Sequence, residues 1–184
     1  MASGPTSDEL LEITNSFEIL DSEELLVNED EMYFRQCSPS DAFWDSERNE
    51  PSYKLFQPHP ITDEGKLSGT RSTKCSPARA YEERLKMTEL LGRGGTRGTW
   101  QISVQHIQRC GFRAIDDSAL VTPPPTGHTY LDMRALNHLP DEMSKREKKN
   151  YAKRIQGYLA NVSVQAYPPR TLFDELESDS DLAA

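Results

Sequence analysis

The chain has 184 residues, 35% of them hydrophobic, and its 30 acids against 21 bases give a net charge of −9. Roughly 45–50% apolar residues is usual for a globular domain, so one domain with polar, highly charged ends is expected. Cys37, Cys75 and Cys110 form an odd set without CxxC spacing, which supports neither a disulfide framework nor a cysteine-rich zinc module.

The opening MASGPTSDELLEI has no basic region leading into an apolar core, and no window approaches the roughly 18 apolar residues of a membrane span. It also lacks the glycine behind the first methionine that myristoylation needs. A soluble, unsecreted protein of the nucleus or cytoplasm is the expectation. The charge is segregated: residues 1–50 carry 14 acids and 2 bases, residues 51–170 carry 11 and 19, and residues 171–184 carry 5 and none. A basic middle attracts polyanions, and acidic ends can compete for that surface or recruit proteins.

Residues 8–34 set Leu10, Phe17, Ile19 and Leu20 among carboxylates, with apolar residues at helical spacing over 10, 13, 17 and 20. Two readings follow, a disordered acidic arm that folds on a partner through those four anchors, and an amphipathic helix that docks on its own core. Residues 35–76 hold four prolines and no sustained period, the pattern of a linker. Within it Phe43 and Trp44 stand side by side in polar surroundings, as a partner-binding pair or as packing for the domain.

Ser76 and Pro77 make an N-cap and first helical residue for a helix that Gly92 can close. The following GRGGTRGT reads as a mobile cationic loop whose Arg93 and Arg97 can touch phosphates, though it matches no nucleotide-binding fingerprint. From Thr99 the alternation of Trp100, Ile102 and Val104 favours a strand to about Gln105, with a helix over 100–110 as competitor. FRAI and SALV could form a hairpin about Asp116 and Asp117. Beyond the proline run at 123–125, residues 126–139 suggest a strand and a short helix. Ser144 and Glu147 have capping-box spacing before a helix with Tyr151, Ile155 and Leu159 on one side, and NVSVQAY alternates as a closing strand.

The densest chemical signal is Lys145, Arg146, Lys148, Lys149, Lys153 and Arg154 within ten residues. On a helix, Lys145, Lys149 and Lys153 form an i, i+4, i+8 row suited to a phosphate backbone, and the cluster also resembles a nuclear-import signal. The plainer reading is a solvated helix face. His128, Asp132 and His138 raise acid–base chemistry, but no nucleophile motif accompanies them, and no set of about four metal ligands has suitable spacing. No catalytic residue, metal or cofactor is therefore expected. Leu172 and Phe173 in the acidic tail are further partner anchors.

Together these features describe an α+β protein. A small basic domain over residues 77–168, with a short, mostly antiparallel sheet and two main helices, is flanked by disordered acidic segments at 1–76 and 169–184. The expected role is a non-enzymatic nucleic-acid-associated regulatory or structural protein, its acidic arms recruiting a protein partner or restraining binding. A viral-matrix-like assembly protein on an anionic membrane surface is the alternative, and a small hydrolase or toxin-like enzyme a further one.

Overall fold

The computed structural model describes residues 4–59, 63–92, 94–122 and 125–169. In chain order the regular elements are α1 (Ser7–Asn15), β1 (Glu24–Leu25), β2 (Met32–Gln36), β3 (Trp44–Asp45), β4 (Glu50–Pro51), β5 (Lys66–Arg71), α2 (Pro77–Leu90), β6 (Thr99–Ser103), α3 (Val104–Arg109), β7 (Arg113–Asp116), β8 (His128–Asp132), α4 (Lys145–Val162) and β9 (Val164–Tyr167). Short 3-10 turns occupy Asp41–Phe43, Tyr53–Phe56 and Arg134–His138.

Seven strands form one antiparallel sheet in the order β1-β7-β8-β5-β2-β6-β9, and β3 pairs with β4 separately. The α+β class and antiparallel sheet match the expectation. Four α-helices are described rather than two main ones, with α2 and α4 the longest.

Register assigns the sheet's two faces. Tyr33 opposes Ile102, while Leu67 and Ala114 both oppose Leu131, so these side chains share one face. That face forms a continuous core with Leu10 of α1, Ile107 of α3, and Tyr151 and Leu159 of α4. The opposite face carries a smaller cluster of Phe34, Cys75 and Ala80 beneath α2. At Gly69 the Tyr33 ring lies where any Cβ would stand, and Tyr33 Oη donates to the Leu67 carbonyl at 2.6 Å. Glycine is needed there for close approach, since its lack of a side chain lets the ring settle on the strand.

The acidic first third is not a free arm or linker. It supplies β2 and helps build the core, and the residues that follow supply β5, next to β2 in the middle of the sheet. Leu10 is fully buried, Thr14 Oγ1 donates to the Gly111 carbonyl at 2.8 Å, and Tyr151 Oη donates to the Pro5 carbonyl at 2.7 Å. Local charge density suggests disorder because the compensating cations are remote in sequence. Glu31, for example, accepts from Arg71 Nε at 2.7 Å and Nη2 at 3.0 Å.

Between residues 99 and 110 both readings hold in succession: β6 runs to Ser103, which caps α3 by accepting from the His106 amide. The SALV half of the expected hairpin is not a strand, and β7 pairs instead with β8. Residues 96–98 are packed rather than part of a loose loop, with Thr96 Oγ1 donating to the Cys37 carbonyl at 2.9 Å and Gly98 at φ 104° pressed against the Tyr167 carbonyl.

Candidate nucleic-acid interface

Helix α4 begins where local chemistry places it. Ser144 Oγ accepts from the Glu147 amide at 3.3 Å, and Glu147 accepts in return from the Ser144 amide at 2.9 Å. This box satisfies amides that would otherwise lack partners at the helix start. The Ser144 contacts also hold the Glu147 carboxyl below its ordinary pKa. Tyr151, Gln156, Leu159 and Ala160 turn inward, and the helix packs against the turn at Tyr53–Phe56.

The cations separate into occupied and unoccupied groups. Arg71 is buried among Glu24, Glu31 and Asp116, and Lys74 also reaches Asp116. Arg113 and Arg134 share Asp132, while Lys66 approaches Glu23 at 4.0 Å. Lys145, Arg146, Lys149, Lys153 and Arg154, by contrast, are exposed and make no ion pair among the described residues. Lys153 Nζ sits 4.7 Å from the centroid of the Tyr53 ring, and the Arg154 guanidinium stacks over Tyr151 at 5.3 Å. These contacts orient side chains without neutralising them.

Two members of the expected basic set stand apart. Lys148 is half-buried, donates to the Leu139 carbonyl at 2.8 Å and lies 3.6 Å from Asp141. Arg97 is tied to the Pro39 carbonyl and to Asp41, with its guanidinium over Trp44. Arg93 lies outside the described residues. The candidate face is therefore five exposed cations of one helix, with Lys148 at its edge.

The expected partner anchors are scattered. Leu10 is core, Phe17 packs against His138 and beneath Arg134, and Ile19 is half-buried. Leu20 is exposed, as are Leu25 and Val27 on and beside the edge strand β1. Sequence reasoning misses those last two because their burial depends on how the strand pairs. Phe43 and Trp44 pack on the core, with Trp44 edge-on to Trp100 at 6.0 Å, which is the packing alternative rather than the anchor. Leu172 and Phe173 lie outside the described residues.

The suspected acid–base grouping does not converge. Asp132 accepts from both Arg113 and Arg134, the Asp117 carboxylate holds His128 Nδ1, and His138 packs on Phe17. Among the described residues no group of three or more His, Cys, Asp or Glu could hold a metal ion, and no helix is long and apolar enough to cross a membrane. Burial pushes the Cys37 and Cys110 thiols up to about 11, which disfavours the reactive thiolate. No protein-family model, curated protein or solved structure matches the chain.

Proposed function

We propose that this protein binds nucleic acid through the phosphate backbone, using the exposed α4 face of Lys145, Arg146, Lys149, Lys153 and Arg154, and that its acidic segments restrain that binding or recruit a protein partner. The observation that carries the reading is that these five cations make no ion pair among the described residues, whereas Arg71, Arg113 and Arg134 of the basic middle are neutralised inside the fold. A lysine-rich helix face neutralises phosphates and releases condensed counterions, giving steep salt dependence and little sequence preference.

The test is a salt titration of the full chain on duplex DNA, single-stranded RNA and anionic vesicles, beside a Lys145→Glu, Lys149→Glu, Lys153→Glu variant. Binding to a nucleic acid should fall linearly on a log–log salt plot, and the variant's slope should be smaller by roughly one for each phosphate it no longer neutralises. Affinity that is unchanged in the variant overturns the assignment. Tighter binding to the vesicles than to either nucleic acid makes the face a membrane-surface contact instead.

A further inference from the structure

The seven-stranded sheet ends in β9 on one side and β1 on the other, and the two edges differ. β9 runs straight into Pro168 and Pro169, which have no N–H to offer a further strand. Residues 18–31, around β1, contain neither proline nor lysine, the residues that commonly guard an edge. The ladder to β7 also continues past β1, with the Leu26 amide donating to the Ala114 carbonyl at 3.0 Å.

That bond fixes which backbone groups are open. Bonded and non-bonded pairs alternate along an antiparallel ladder. Leu26 with Ala114 is a bonded pair, so Leu25 with Ile115 is a non-bonded one, and the Leu25 N–H and C=O point away from β7. No hydrogen bond from the rest of the described residues reaches them. The side chains are open as well, with Leu25 37% and Val27 72% exposed.

Charge selects what can pair there. Residues 18–31 carry seven acids and no base. Glu23 and Glu31 are buried beside Lys66 and Arg71, and Glu24 also reaches Arg71. Glu18, Asp21, Glu29 and Asp30 are exposed and make no ion pair among the described residues. Turns closed by Glu23 N–H to the Leu20 carbonyl and Glu31 N–H to the Asn28 carbonyl set Asp21 at one end of the open edge and Glu29 and Asp30 at the other. A second copy's β1 would bring like charges together, and residues 171–184 carry five acids and no base, so neither suits this edge.

We infer that β1 recruits a basic, extended segment of a protein partner, which adds to the sheet as a further strand. Its main chain bonds to Leu25, its alternate apolar side chains lie on Leu25 and Val27, and its lysines or arginines meet the carboxylates of the two turns. The inference rests on the partner-recruiting half of the proposed function and gives that partner a place and a chemistry.

The test titrates the full chain with the end-capped peptide KVKVTVK, its charge-reversed counterpart EVEVTVE, and a copy of KVKVTVK N-methylated at alternate residues, following the amide resonances and hydrogen exchange of Leu25 and Val27. Expected are shifts at both amides, slowed exchange at Leu25, and affinity for KVKVTVK about ten-fold above that for EVEVTVE at low salt, a preference that shrinks toward 1 M. The N-methylated copy should bind about ten-fold more weakly, having lost main-chain bonds. Leu25→Pro removes only an outward N–H and should weaken KVKVTVK similarly while the β7 and β8 resonances stay in place. Glu29→Lys with Asp30→Lys leaves the backbone intact and should erase the charge preference. The Lys145→Glu, Lys149→Glu, Lys153→Glu variant should bind KVKVTVK as the parent does, so failure of the α4 reading and failure of this one are told apart. Equal affinity for the two charged peptides at low salt, no binding, binding without change at Leu25 and Val27, full affinity of the N-methylated copy, or protection of Leu25 that grows with concentration of the chain alone, which makes a second copy the occupant, would each overturn the inference.

Discussion

At the scale of single residues, Arg71 joins parts of the chain that composition would keep apart. Its guanidinium meets Glu31 at 2.7 Å and Asp116 at 2.9 Å, all three side chains being at most 9% exposed. Burial opposes ionisation of both carboxyls, but contacts from Arg71 and Thr73 at Glu31, and from Lys74, Ser118 and Arg71 at Asp116, outweigh it and hold both pKa values down. Arg71→Met should therefore destabilise the fold by about 3–5 kcal/mol at neutral pH, since it leaves buried Glu31 without its main partner and takes one of several partners from Asp116. The pH dependence has a definite sign. Because the folded-state values are depressed, their contribution is complete above the unfolded pKa values near 4 and is lost as pH falls through the folded ones. Urea unfolding at pH 7 and pH 3 should show the gap between parent and variant narrowing in acid. A gap independent of pH would mean that poorer packing, not charge, causes the effect.

At the scale of elements, α1 and α4 offer separate tests. Leu10→Ala removes a fully buried side chain from α1 and should cost about 2–5 kcal/mol, far more than trimming a free arm would. Ser144→Ala removes the α4 cap and should cost about 1 kcal/mol in chemical denaturation, with the Lys145, Lys149 and Lys153 row still displayed. These elements also show what the chain reveals locally. Helix α4 and its basic face are legible because a capping box, a four-residue apolar interval and a lysine row all lie within 18 residues. The caps at Ser76 and Ser144 and strand β9 are legible for the same reason. Strand β5, KLSGTR, is not, since Leu67 is its only large apolar residue; the Tyr33 ring over Gly69 and the acids around Arg71 come from elsewhere in the chain. Arg97 reads as a free phosphate ligand for a similar reason, because Asp41, its partner, lies 56 residues away.

At the scale of the whole molecule, the fold changes what the net charge of −9 implies. Part of the N-terminal acid is engaged inside the fold, as Glu31 is with Arg71, and part is paired at the surface, as Asp41 is with Arg97, so the buried part is less available to screen α4 from outside. On the proposed function, the acidic residues 171–184, which lie outside the described residues, would be the intramolecular competitor for the basic face. Reach permits this: the 18 residues of α4 span about 27 Å at 1.5 Å per residue, whereas 14 extended residues span up to roughly 46 Å. Tethering gives such a segment an effective concentration of the order of millimolar. Replacing Asp174, Glu175, Glu177, Asp179 and Asp181 by their amides should thus raise nucleic-acid affinity several-fold at about 50 mM salt, with the advantage shrinking as the Debye length contracts toward about 3 Å at 1 M. Fluorescence anisotropy across that salt range separates the cases. A gain that shrinks with salt identifies electrostatic competition, a gain constant in salt points to steric masking of α4, and no gain at any salt leaves the tail free for a protein partner.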